Sequence, residues 1–119
     1  MRIVERQIKL LVLTDGKCPY AEWFDAIKDI RTSATIDARL ARIASGNLGD
    51  HKDLGSGVCE LKIDLGPGYR IYYAEYDEVI VVLLGGGTKK QQSRDIKDTI
   101  ALWTENKDDP KRLQRDLRL

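Results

Sequence analysis

Apolar and polar residues alternate between residues 57 and 84 in a pattern that predicts three consecutive antiparallel strands. Glycine, proline and acidic residues separate the strands, as is usual at tight turns. The third strand, residues 79–84, is an unbroken apolar run, which is typical of a strand buried on both faces. In the second strand Arg70 and Tyr72 share one face. We expect that face to be open to solvent.

Apolar residues also recur at helical spacing on either side of these strands. The predicted helices are residues 19–31, residues 34–45 after an interruption and N-cap at Thr32-Ser33, and residues 89–105. With a first strand at residues 3–13, the element order is β-α-α-β-β-β-α. This order predicts an α+β fold, an antiparallel sheet with its helices packed on one face. Residues 50–54 fit either a loop or an edge strand.

The length of 119 residues fits one domain, which we place at residues 1–106, followed by a short basic tail at residues 107–119. The formal net charge of only +1 gives no global signature of a nucleic-acid binder. Two cysteines are too few for a disulfide framework and lack metal-ligand spacing. With no signal peptide and no long apolar run, a reducing cytoplasm is the simplest expected location.

The candidate chemistry lies around the second strand and the segment Gly85–Lys90. That segment lacks the spacing of a nucleotide-binding phosphate loop. It is predicted either to hold one phosphate at a helix start, with Lys89 and Lys90, or to be a simple connection with glycines at a tight turn. Arg70 either binds phosphate or pairs across strands with Glu60 or Asp64.

Two interpretations, one functional and one structural, are open for each of three further residues. Tyr72 either stacks on a base or fills a strand position for which tyrosine has high propensity. His51, the only histidine, is either a general acid or base or an ordinary surface residue, and Lys52 beside it has the same ambiguity.

Several strings, in this order and spacing, resemble the phage-derived, HigB-like branch of the RelE/ParE toxin superfamily, the addiction-module killer proteins. The resemblance covers about residues 15–105. It rests on these strings: Trp23-Phe24, Arg42-Ile43, residues 46–50, Lys52, residues 54–61, residues 68–73, residues 83–89, Gln92 and Asp95-Ile96.

The resemblance implies a toxin of a type II toxin–antitoxin system that cleaves messenger RNA on the ribosome. In such toxins no metal or other cofactor takes part, and the ribose 2′-hydroxyl attacks the adjacent phosphate. Arg70 matches a functional arginine position, and Lys89, or Lys90 after a one-residue shift, a second basic position. Lys52 falls where relatives contact RNA, and His51 and Tyr72 are implied in proton transfer or base stacking.

The implied partners are a cognate antitoxin, expected to be a helix-turn-helix protein, and the ribosome with its messenger RNA. Oligomeric state, codon preference and proton donors stay open. The chain departs from RelE-type toxins in its low net charge, and no tyrosine follows Tyr76. Two alternatives therefore remain: a ParE-like inhibitor of DNA gyrase without nuclease activity, and a domesticated module that only binds antitoxin.

Overall fold

A computed structural model describes residues 4–118 and shows an α+β domain built on one six-stranded mixed sheet. The spatial order of the strands is β2-β3-β4-β5-β1-β6. Their bounds are β1 Gln7–Leu10, β2 His51–Gly55, β3 Val58–Ile63, β4 Tyr69–Tyr76, β5 Ile80–Thr88 and β6 Arg115–Asp116. The predicted meander is thus confirmed as β3, β4 and β5.

The expected wholly antiparallel sheet is wrong, because β1 runs parallel to β5. Gln7 lies opposite Ile80 and Leu10 opposite Leu83. Strand β5 is buried on both faces, so its backbone needs a hydrogen-bonded neighbour along each edge. Strand β4 lies along one edge, and β1 lies along the other. Parallel pairing requires a long crossover, which the helical segment after β1 and the following strands provide. Ile3, which the predicted first strand included, lies outside the described residues.

The helices begin and end at places that differ from the prediction. Their bounds are α1 Pro19–Asp25, α2 Ile30–Ala44 and α3 Gln92–Asn106. The predicted single helix over residues 19–31 is wrong, and Thr32-Ser33 lies inside α2 rather than interrupting it. Asp29 is the N-cap of α2: its carboxylate accepts bonds from the Arg31 amide at 3.1 Å and the Thr32 hydroxyl at 2.9 Å. Apolar residues continue at helical spacing past Asp29, but the side-chain cap at Asp29 makes a new helix begin there.

Replacement of Asp29 by alanine is expected to lower the free energy of unfolding by about 1 kcal/mol, because the first turn of α2 loses its side-chain acceptor. Urea denaturation followed by circular dichroism measures this change. Asp25→Ala, at the last residue of α1, is the matched control and should leave stability nearly unchanged. Equal effects of the two substitutions would contradict the capping role of Asp29.

The helices cover both faces of the sheet, so the prediction that they pack on one face is wrong. On one face α1 and α2 contribute Tyr20, Ile36, Leu40 and Ile43 to a buried cluster with strand residues such as Leu83. On the other face Trp103 of α3 packs with residues such as Leu84. Because β5 is apolar at successive positions, both of its faces need cover.

The segment that the sequence left open, residues 50–54, and the basic tail both contribute a strand to the sheet. Residues 51–55 form the edge strand β2, which pairs with β3. In the tail, Leu113 is buried in the cluster beneath α3, and β6 pairs antiparallel with β1. Within residues 4–118, every helix is too short or too polar to cross a membrane.

Candidate functional site

Arg70 and Tyr72 share one face of β4, as predicted, but that face is not open to solvent. The exposed fraction is 4% for Arg70 and 1% for Tyr72. Helix α3 lies over this face, and its Trp103 belongs to the same buried cluster as Tyr72. The sequence periodicity gave the correct side of the strand for both residues, but it carried no information on where α3 would pack.

The guanidinium of Arg70 pairs with Glu60 on the neighbouring strand β3. Arg70 Nε lies 3.7 Å from Glu60 Oε1, and both side chains are less than a tenth exposed. The side-chain amide of Gln92, the first residue of α3, donates to both oxygens of Glu60, at 2.9 and 3.0 Å. The Glu60 carboxylate is therefore held at the positive end of a helix dipole. The cross-strand ion pair is the alternative that the structure shows for Arg70.

Two more polar groups are buried beside this ion pair and have no hydrogen-bond partner among residues 4–118. They are the Tyr72 hydroxyl and Asp95 Oδ2. Burial, with a contribution from the charge of Asp95, raises the pKa of Tyr72 above its ordinary value. Burial is also the main cause that raises the pKa of Asp95. Tyr72 is therefore a weaker acid than an ordinary tyrosine and stays protonated at neutral pH, where it can donate a hydrogen bond but cannot act as a base.

The three glycines that suggested a phosphate loop belong to strand β5. Gly86 and Gly87 allow close packing against helices on opposite faces of the sheet. The indole of Trp23 in α1 lies against Gly86, so a Cβ there would clash with the ring, and the carboxylate of Asp95 in α3 lies against Gly87, where a Cβ would displace it. Gly85 has open space around it. The expectation that these glycines serve a tight turn is wrong, because the turn begins only after Thr88.

Lys89 lies next to Arg70 at the end of the sheet. A Cβ built on Gly68 would lie 3.4 Å from Lys89 Cβ and 3.5 Å from Arg70 Nη1. The backbone amide of Lys89 also donates to the Gly68 carbonyl at 2.8 Å. Lys89 and Lys90 are both exposed and form a 3₁₀ turn before α3. Among the described residues, the Thr88 side chain makes no capping bond to this turn.

Lys52 and His51 lie next to each other on β2 but point to opposite faces. Lys52 is opposite Glu60, which places it on the face of Arg70 and Tyr72. His51 is opposite Leu61, on the face that α1 and α2 cover, and its Nδ1 lies 2.9 Å from the Gly49 carbonyl. The sheet therefore places Lys52 on the same face as Arg70, and it places Lys89 beside Arg70. His51 lies on the opposite face, away from these three residues.

Sequence reasoning missed Gln92 and Asp95 as parts of this cluster and treated Glu60 only as one of two ion-pair partners. Glu60 and Tyr72 are a cross-strand pair, and the alternating pattern of β3 and β4 already placed both on the same face of the sheet. Nothing in the local sequence indicated Gln92 or Asp95, because their place depends on how α3 crosses the sheet. Within residues 4–118, no three His, Cys, Asp or Glu side chains group together as metal ligands would.

Fold and site together define an α+β domain with a buried Glu–Arg pair and exposed lysines at one end of its sheet. The chain is 42% identical over 86 residues to an uncharacterized protein of Haemophilus influenzae (strain Rd), a match that covers 72% of this chain and 87% of the relative. The chain belongs to the family of that protein. No family model matches the chain. No solved structure matches it either.

Proposed function

We propose that this protein is the toxin of a type II toxin–antitoxin pair and cleaves messenger RNA on the ribosome without a metal. The observation that supports this proposal best is the proximity of Arg70 and Lys89 around Gly68. An exposed lysine whose stem adjoins this arginine is suited to bind one phosphate group, whose negative charge increases when a 2′-hydroxyl attacks it. The resemblance to RelE- and HigB-like toxins involves the same two residues.

The exposure of each side chain suggests a division of roles. Lys89 and Lys90 are exposed and would contact the scissile phosphate, and Lys52 on the same face would contact a neighbouring one. Arg70 is nearly closed off from solvent and paired with Glu60, so its part is to hold the end of the sheet in position beside the lysines. Tyr72 is too buried to stack on a base.

The proposed partners follow from this function. A toxin must coexist with its antitoxin, and we expect a helix-turn-helix antitoxin encoded beside this chain to bind it tightly and cover the lysines. The ribosome and its messenger RNA place the activity in the cytoplasm. Co-elution of the two purified proteins at micromolar concentration tests the pairing, and their separate elution would contradict it.

Replacement of Lys89 by glutamine is expected to lower messenger RNA cleavage at least about tenfold, since one charge-assisted phosphate contact is lost. The measurement is primer extension on a message in a purified translation system. Wild-type protein should give cuts in phase with codons. Lys89 is exposed and makes no side-chain ion pair shorter than 4.0 Å among the described residues, so the substitution should not affect folding.

The matched control is Lys107→Gln, the same change at the opposite end of α3, about 20 Å away for a helix of this length. It should cut as wild type does. Equal loss in both variants would point to a nonspecific charge effect and contradict the role of Lys89. Absence of cuts with wild-type protein would overturn the nuclease proposal and turn attention to gyrase inhibition, tested by DNA supercoiling.

A further inference from the structure

A second basic surface lies away from the Arg70–Lys89 cluster. It is a groove of about 520 Å³ between α2 and the end of β3. Its rim carries Arg31, Arg39, Arg42 and Lys62, and the one carboxylate among its described lining residues is Asp64. These five side chains have a net charge of +3, whereas the whole chain has +1. Positive charge is therefore concentrated at this groove, and the remainder of the protein is slightly acidic.

The arginines of the groove are available to a ligand. Among residues 4–118, neither Arg31 nor Arg42 has a carboxylate within 4.0 Å, and both are exposed. Arg39 is held in place, because its guanidinium lies against Gly49 and donates to the Asp50 carbonyl at 3.0 Å. Arg39 is already ordered and loses little entropy when it binds an anion, and Arg31 and Arg42 break no ion pair when they do so.

The shape and composition of the groove indicate which anion it fits. Arg31 and Arg42 are eleven residues apart on α2, which is ~16 Å along the helix, so the two guanidinium groups can contact different phosphates of one nucleic-acid backbone. Small residues, Ala34 and Ala38, line the groove between them and allow a backbone to approach closely. Within residues 4–118 no aromatic side chain lines it, so this part of the chain gives it no stacking platform of the kind typical of single-strand sites.

We propose that this groove binds the phosphate backbone of double-helical RNA, as a docking surface separate from the site of cleavage. The choice of RNA over DNA rests on the proposed function, since a protein acting on translated messages meets folded ribosomal RNA. The groove lies where α2 packs on the sheet, whereas Arg70 and Tyr72 lie on the face that α3 covers. Lys62, at the end of β3, borders both surfaces.

The test is binding of the full chain to a fluorescent 16-base-pair RNA duplex, followed by anisotropy over a range of salt concentrations. The variant is Arg31→Gln/Arg42→Gln, which leaves the backbone bond of Arg31 to Asp29 intact. We expect an affinity loss of about tenfold and a salt dependence whose slope falls by about two, one for each phosphate contact removed. Circular dichroism should show an unchanged fold.

The matched control is Arg115→Gln/Arg118→Gln, which removes the same two charges at or beside β6, on the opposite edge of the sheet from β2 and β3. It should bind duplex RNA nearly as wild type does. Equal weakening by both double variants, or no weakening by the groove variant, would overturn the proposal. Equal or tighter binding of a DNA duplex, or of single-stranded RNA of the same length, would overturn the assignment to duplex RNA.

The two proposals can fail separately. Duplex binding that depends on Arg31 and Arg42 without any message cleavage would leave the groove assigned and reject the nuclease. Codon-phased cleavage that depends on Lys89, with no duplex binding by the wild-type protein, would reject the groove and leave the nuclease.

Discussion

Replacement of Arg70 by methionine is expected to lower the free energy of unfolding by about 3–5 kcal/mol. The substitution removes the cation that faces Glu60 in a site where both side chains are less than a tenth exposed. Gln92 still donates to the carboxylate, but an amide does not neutralise a buried charge. Urea denaturation measures the loss as a lower midpoint with an unchanged slope.

The double variant Glu60→Leu/Arg70→Met, compared with Arg70→Met alone, tests whether the loss of stability comes from the uncompensated charge of Glu60. It removes both charges and fills the space with apolar groups, so most of the stability should return, because buried ion pairs seldom stabilise more than well-packed hydrophobic residues. A double variant as unstable as Arg70→Met alone would show that the loss comes from packing and not from an uncompensated charge. A single variant as stable as wild type would contradict the buried pair itself.

This expectation also decides how the function should be tested. An Arg70 variant that loses cleavage would not distinguish a chemical role from partial unfolding. Lys89 is exposed and outside the buried pair, so its replacement separates the two explanations.

The second large expected effect is that of Gly86→Ala, a loss of about 2–3 kcal/mol. A methyl group at residue 86 would occupy the space of the Trp23 indole, so α1 must move away from β5 or the ring must leave its position. Gly85→Ala is the matched control one residue earlier, where nothing lies within 4 Å of the added Cβ. It should be neutral or stabilise slightly by restricting the unfolded chain.

A double-mutant cycle with Trp23→Val tests the cause of this effect. In the Trp23→Val background the same Gly86→Ala substitution should cost far less, because the atoms that oppose the methyl group are gone. Equal costs in the two backgrounds, or equal stabilities of Gly85→Ala and Gly86→Ala, would contradict the close packing of Trp23 on the strand. The free energies of unfolding of all these variants are measured by urea denaturation at one temperature.

The sequence by itself determined the strands of the meander, the side of the sheet on which each of their residues lies, and the buried face of α2. Those features come from periodicity: Leu61 and Ile63 are buried on the face of α2, and Ile36, Leu40 and Ile43 meet them there. It also singled out Lys89 and Arg70, which the fold brings together at Gly68. Each of these depends on residues within a few positions of one another or on adjacent strands.

Only the tertiary structure decided the rest. The parallel pairing of β1, the covering of the Arg70 face by α3 and the burial of Asp95 involve residues far apart in the chain. An alternating strand has the same pattern whether its polar face meets water or a helix that satisfies its charges. For the same reason the glycines of β5 suggested a loop, because close helix packing and tight turns both require a residue without a side chain.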